Sequence, residues 1–372
     1  MADKHKTASL GKVKKMDYSF LIIVFMLLCY GLIMVFSASS AAAHYQYNDA
    51  YYFIKRQFAW SLIGIGIMLV VSRISYKTIY KYSLHLMVIS IVLLILVPLI
   101  GVEVKGAKRW IGFGAFSFQP SELAKFAIIV FLARSVTANH EALKTFGKGF
   151  LPYVFIIGLL ALLVFIEPHL SGAIVIVLTG FIVLWAAGAK IAHFAAIGLP
   201  ALGAAVVAMI SAPYRMARVT AFFDPFKDSS GTGFQIVQSL YAIGSGGFFG
   251  LGLGQSRQKH LFLPEPQNDF IFSVICEELG FIGAALVVVL FVFLVWKGLK
   301  IASNAPDAFS RLLVIGIIGL IAVQVIINIA VVTSSIPATG MPLPFFSYGG
   351  TSLVFILAEM GVVLSVSREC EV

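Results

Sequence analysis

The chain has 372 residues, of which 60% are hydrophobic and 12% charged, whereas soluble domains run near ~45–50% apolar and about 25% charged. That balance excludes a water-soluble globule. The net charge of +10 would suit nucleic acid, but the cations are scattered among short loops rather than gathered on one stripe, which sets that partner aside.

Lys4, Lys6, Lys12, Lys14 and Lys15 form a basic amino-terminal tail. The apolar run behind it, Tyr18 to Phe36, is too long for a signal-peptide core and predicts an uncleaved first span. Apolar runs bounded by charge, Gly or Pro predict further spans near residues 58–71, 82–100, 121–136, 150–166, 170–187, 191–211, 270–296, 312–332 and 351–365. The expected fold is an all-α polytopic integral membrane protein of about ten transmembrane helices, with a long extracytoplasmic segment between the seventh and eighth. The expected division is a basic cytoplasmic tail over 1–16, a single membrane domain over 17–368 and a cytoplasmic end over 369–372.

Cation placement sets the orientation. With the amino terminus in the cytoplasm, the inner segments hold the tail lysines, Arg73, Lys77, Lys81, Arg134, Lys144, Lys148, Lys190, Lys297, Lys300, Arg311 and Arg368. The short outer loops hold Lys55, Arg56, Lys105, Lys108 and Arg109. Both termini are therefore expected inside. Three outer segments, 101–119, 212–269 and 334–350, keep aromatic and apolar residues that suit re-entrant or interfacial packing against the bundle.

The ionisable groups in and beside the spans are the candidates for chemistry. Glu122 and Lys125 follow Pro120 at i and i+3, a spacing for a helix-locking salt bridge. With Lys105, Lys108, Arg109 and Trp110 on the same side they would also make a cationic pocket for a phosphate-bearing ligand. Arg215 and Arg218 share a helical face at the outer interface and suit lipid headgroups or a pyrophosphate. The stretch Gly244 to Gly254 is glycine-dense, so its backbone could approach a ligand closely or offer amides to an anion, but it fits neither G-x-G-x-x-G nor a P-loop. Asp269 closes Leu263-Pro-Glu-Pro-Gln-Asn-Asp269 just before an apolar run; it suits a helix N-cap and equally a partly desolvated general base. Glu277 and Glu278 lie about two turns deeper as buried pairing partners, and Glu359 sits in the last span. Glu167-Pro-His169 reads as a hinge between two spans. Cys29, Cys276 and Cys370 and the histidines have no metal-ligand spacing, so no zinc site and no disulfide framework is expected. No G-x-S-x-G elbow is present.

Several strings in order resemble one family: Lys105-Gly-Ala-Lys-Arg-Trp-Ile111, Gln119-Pro-Ser-Glu-Leu-Ala-Lys125, Gly233-Phe-Gln-Ile-Val-Gln-Ser-Leu240, Gly252-Leu-Gly-Gln-Ser256, Leu263-Pro-Glu-Pro-Gln-Asn-Asp-Phe-Ile-Phe272, Glu278-Leu-Gly280 and Pro342-Leu-Pro-Phe-Phe-Ser-Tyr-Gly-Gly350. They are similar to the SEDS proteins, the shape, elongation, division and sporulation family of bacterial cell-wall polymerases. Gly340-Met-Pro-Leu-Pro-Phe345 and Ala212-Pro-Tyr-Arg215 look nearer its division and sporulation branches, FtsW and SpoVE, than its RodA branch. The resemblance implies a peptidoglycan glycosyltransferase of the bacterial cytoplasmic membrane, acting at the septum or forespore. Lipid II and an undecaprenyl pyrophosphate-linked glycan would be its substrates. A class B penicillin-binding transpeptidase and other division or sporulation proteins would be its partners. It implies Asp269 as the catalytic residue and Arg109, Trp110, Glu122 and Lys125 as functional. Arg215, Arg218 and Gln267 complete the expected substrate-binding set. A divalent cation, Mg or Mn, is the one cofactor left open. One departure stands out: the family carries an acid directly after the proline at Pro168, and this chain has His169. A lipid II flippase and a non-catalytic scaffold are the rival readings; a transport path would place polar groups through the midplane rather than at the outer rim.

Overall fold

The computed structural model describes residues 16–370 apart from 105–106, 114–115, 212–215, 217–219, 221, 228–230 and 232. The basic tail, Lys105, Arg215 and Arg218 lie outside the described residues. The chain order is α1 (Tyr18–Tyr47), α2 (Tyr52–Arg73), α3 (Tyr76–Ile100), β1 (Val102–Val104), β2 (Ala107–Phe113), β3 (Phe116–Phe118), α4 (Pro120–Ala138), α5 (Leu151–Ile166), α6 (Leu170–Ala186), α7 (Ile191–Ile210), α8 (Phe234–Gly246), α9 (Ile271–Ser303), α10 (Ala308–Val332) and α11 (Gly350–Ser367). Every expected span falls on a helix. Among the described residues seven are long and apolar enough to cross a membrane: α1, α2, α3, the Phe146–Ile166 segment that contains α5, α9, α10 and α11. The other three expected spans are not among the seven: α6 has only 17 residues, α4 carries Glu122, Lys125 and Arg134, and the third is α7.

Local chemistry sets the helix limits. The Asp17 side chain caps α1 by accepting from the Phe20 amide at 3.0 Å, and Asn48 ends that helix in the left-handed region at φ 53°. Ser75 caps α3. Pro120 occupies the first turn of α4, where its missing N–H costs nothing. Asp307 and Ser310 form a capping box on α10, and the Tyr76 hydroxyl donates to Asp307 at 2.6 Å.

The core is drawn mainly from α1, α4, α10 and α11. Ala124, Ala127, Ile128, Ile129 and Leu132 of α4 are fully buried, as are Val314, Ile317 and Ile321 of α10. On α9, Phe281, Leu286, Val289, Phe293 and Trp296 stay exposed. Large apolar side chains left outward on a span of this length are what hydrocarbon, rather than water, accommodates.

Two features have no signature in the hydrophobic pattern. The first outer segment is not helical: β1, β2 and β3 form a small antiparallel sheet in that order, with Glu103 opposite Lys108 and Ile111 opposite Phe118. The glycine-dense stretch after α8 folds back onto α9, which breaks at Gly280 (φ 65°). There the Leu251 and Gly252 amides donate to the Glu277 and Glu278 carbonyls at 3.0 and 2.9 Å, and Phe281 N–H donates to Gly247 at 3.0 Å. A side chain at Gly246, Gly250 or Gly280 would run into the facing backbone. These glycines let two main chains touch, and the ligand approach expected of them is taken up by the protein itself. Gly280→Ala combines positive φ with that clash, so a loss of about 1–3 kcal/mol is expected; thermal melting in detergent measures it, and an unchanged melting temperature would contradict the packing argument.

Candidate active site

Among the described residues the site draws on β2, the starts of α4 and α6, the turn before α9 and the segment before α11. Asp269 follows the stiff Pro264 to Asn268 turn, in which the Asn268 amide donates to Glu265 O at 3.0 Å. Phe270, not Asp269, occupies the N-cap position of α9 and supplies no side-chain cap, so the capping role does not hold. Asp269 is half-buried and lines a cavity of about 130 Å³ with Gln235, Pro264, Glu265, Phe270, Ala338 and Gly340. Gln235 comes from α8, which brings the long segment's own helix to the carboxylate.

A strap over residues 334–349 closes this cavity. Gly340 lies at φ 68°, and a Cβ there would sit 3.2 Å from Asp269 Oδ2. The strap is fixed along its length. Ser171 donates to the Thr339 carbonyl. Ser347 Oγ donates to Asn268 O at 2.7 Å, and the Tyr348 amide donates to Gln267 O at 2.8 Å. Buried Gln57 of α2 donates to Ser347 O at 3.3 Å and accepts from the Gly349 amide at 3.2 Å. Phe345, at φ 66°, passes over Gly31 of α1 so closely that only a hydrogen fits there.

Arg109 on β2 reaches the α5–α6 connection, where Nε donates to Glu167 O at 3.2 Å and Nη2 to Pro168 O. Trp110 beside it is half-buried. Behind them the His169 ring lies 3.3 Å from Gln119 Nε2 and 3.5 Å from Ser121 Oγ. Arg109, the start of α4, the start of α6 and the strap are thus joined in sequence to Asp269. Glu122 and Lys125 form the expected ion pair at 2.7 Å, with both side chains buried, and Ser352 of α11 lies 3.5 Å from Glu122. Gln267 is also buried, and its Oε1 finds no protein donor.

Glu278 pairs with Lys259 of the preceding loop, and Glu277 binds that loop's serine and amides. Glu278 accepts from Lys259 Nζ at 2.9 Å, Ser37 Oγ at 2.5 Å and the amides of Gly254 and Ser256 at 2.9 and 3.2 Å. Glu277 accepts from Ser256 Oγ at 2.5 Å and the Arg257 amide at 2.9 Å. The two carboxylates therefore anchor the 254–259 loop to α1 and α9, below Asp269. No sequence spacing would have linked Lys259 to Glu278, because they sit in different elements.

Residues 18–371 match the family described as cell cycle protein FtsW/RodA/SpoVE. The chain belongs to the FtsW/RodA/SpoVE family. It is 48% identical over 354 residues to stage V sporulation protein E of Bacillus subtilis (strain 168), covering 95% of this chain and 97% of that protein. It is 41% identical over 358 residues to the probable peptidoglycan glycosyltransferase FtsW of Geobacter sp. (strain M18), covering 96% and 98%. A chain of a peptidoglycan synthase complex that coordinates polymerization and crosslinking has the same fold at TM-score 0.79 and 29% identity, covering 95% and 98%. RodA of Thermus thermophilus matches at 0.70 and 26%, covering 96% and 98%. The protein is thus an FtsW/RodA/SpoVE-type membrane protein.

Within this family member the Asp269 cavity holds two carboxylates, Glu265 and Asp269, and no set of three acidic, His or Cys donors is grouped among the described residues. One or two carboxylates are what Mg commonly takes from protein when substrate phosphates complete its shell, so Glu265 and Asp269 are the pair that would hold a divalent cation here. The hinge at 167–169 is electrostatically unusual. Burial pushes the Glu167 carboxyl up to about 8 against the pull of Arg109, and both its oxygens lack a donor. Burial, with Arg109 and Lys125 nearby, pushes His169 down to about 3. Burial thus favours the uncharged form of both.

Two outcomes follow for stability. The folded Glu167 keeps its proton up to about pH 8 while an unfolded one releases it near 4.5, so its contribution falls as pH rises through that window. His169 acts in the opposite sense, losing stability as pH drops from 6.5 toward 3. Glu167→Gln should therefore flatten the decline in melting temperature between about pH 6.5 and 8, and a slope equal to wild type would contradict this. Lys259→Met should cost about 3–5 kcal/mol by stranding Glu278, with part of the loss recovered in Lys259→Met/Glu278→Leu, both read from melting curves.

Proposed function

We propose that this chain is a peptidoglycan glycosyltransferase that polymerises lipid II at the outer face of the bacterial cytoplasmic membrane. The observation that carries the reading is the half-buried Asp269, set in a cavity under a clamped strap in a family member 41% identical to a protein named probable peptidoglycan glycosyltransferase FtsW. Asp269 takes the proton from the acceptor sugar's 4-hydroxyl as that oxygen attacks the anomeric carbon of the growing glycan. The glycosidic bond forms, the bond to pyrophosphate breaks, and undecaprenyl pyrophosphate departs with its electron pair. Displacement from the opposite face inverts the anomeric centre, and so good a leaving group needs no second carboxylic acid. Arg109, Lys125, Arg215 and Arg218 are assigned to the pyrophosphate charge, with Trp110, Glu122 and Gln267 lining the donor and acceptor.

Buried charges bear on the flippase alternative. Glu277 and Glu278 are committed to fixing the 254–259 loop, and Glu122 and Lys125 are paired with each other in the first turn of α4, which leaves Glu359, close to Lys125 and Glu122, as a deeper group. Fixed charges of this kind hold a site rather than pass a headgroup along a path.

The synthase complex that shares this fold supports a crosslinking transpeptidase, a class B penicillin-binding protein, as partner. Both termini are assigned to the cytoplasm and the site of action to the septum or forespore, in line with the FtsW and sporulation relatives.

Purified protein supplied with lipid II, alone and with its transpeptidase, tests the assignment. Asp269→Ala should lower polymer formation by roughly 10²–10⁴ with lipid II binding retained. Lipid scrambling by both proteins, with no polymer from either, would sink the enzyme reading in favour of transport.

A further inference from the structure

Asn328 is an apolar-run residue on α10 that no motif singles out, yet it touches the site more directly than most of the expected set. Its side chain is 1% exposed. Nδ2 donates to two carbonyls, Asp269 O at 2.8 Å and Met341 O at 2.6 Å, while Oδ1 is buried without a protein donor. The helical ladder of α9 does not reach Asp269: its first turn closes from the Ser273 amide to Phe270 O at 3.0 Å. Asn328 supplies from another helix the hydrogen bond that α9 does not. The second carbonyl belongs to the residue after Gly340, where the strap runs against the Asp269 carboxylate.

We propose that Asn328 is a positioning residue for the transferase reaction: by holding the main chain of Asp269 and of the strap on one amide, it sets the distance between the carboxylate and the wall that faces it. The proposal rests on Asp269 acting as the base. A buried amide that spends both donors on these two carbonyls and leaves its oxygen unpartnered is selected for donation, because a buried unpaired acceptor is costly. Asp at this position would keep the shape and turn two attractions into repulsions. Leu would remove the donor with little change in volume.

The experiment compares wild type, Asn328→Leu and Asn328→Asp in the full chain with its transpeptidase, using lipid II polymerisation, the pH–rate profile and backbone hydrogen exchange. Turnover is expected to fall ~10–100-fold, the scale of a roughly 1 Å misplacement, with KM for lipid II within about twofold and the acidic limb of the profile displaced. Exchange over 266–270 and 338–343 should quicken together. Asn328→Ser, a short donor, should recover part of the turnover and serves where the larger changes fail to fold. Quickened exchange with turnover and profile unchanged would overturn the positioning role, as would a loss of turnover explained by KM alone. If wild type makes no polymer and Asp269→Ala behaves identically, the enzyme reading fails instead, and linked exchange in the two segments still decides whether the clamp exists.

Discussion

Main chain that crosses the end of a membrane-embedded bundle outside helix or sheet must find a partner for each carbonyl and amide, because neither lipid nor apolar side chains will supply one. The 334–349 strap meets that demand with side chains from distant helices: Gln57 of α2, Ser171 of α6 and Asn328 of α10. It also bonds directly to the 267–269 turn. The position of Asp269 follows from these contacts more than from its own helix. Removing any one of them would strand a buried polar group, so the strap and the aspartate turn hold or fail together.

Beneath that layer a second set of interactions does similar work with charge. Glu277 and Glu278 sit where α9 is about to break at Gly280, and they gather the 254–259 loop by its amides, its serine and its lysine. Charges so thoroughly hydrogen-bonded can be kept in a low dielectric. The glycines opposite allow the backbones to close to contact, which is why acidic residues and glycines occur together in this part of the chain.

The helices were legible because hydrophobic run length is dictated by the bilayer, and each expected span coincides with one. Asp269, Glu122 and Lys125 were legible as candidates because ionisable residues beside apolar runs are conspicuous. What stayed hidden depended on three-dimensional juxtaposition. The strands β1 and β3 are three residues each, too short for any periodicity. Lys259 finds Glu278, and Asn328 finds Asp269, across segments that sequence distance does not connect. The N-cap expectation for Asp269 failed by one residue, since the helix begins only after Phe270. That displacement leaves the carboxylate facing a cavity rather than the helix's own amides.

The hinge between α5 and α6 carries one further implication. It contains an acid and a histidine beside a guanidinium, a composition that on paper nearly cancels. Desolvation disfavours the charged form of both titratable members, so the charge this corner keeps is that of Arg109, held by the Glu167 and Pro168 carbonyls. The balance of charge at this corner is thus set by burial of Arg109's neighbours rather than by adding cations, and it shifts toward neutrality in alkaline solution as Glu167 ionises.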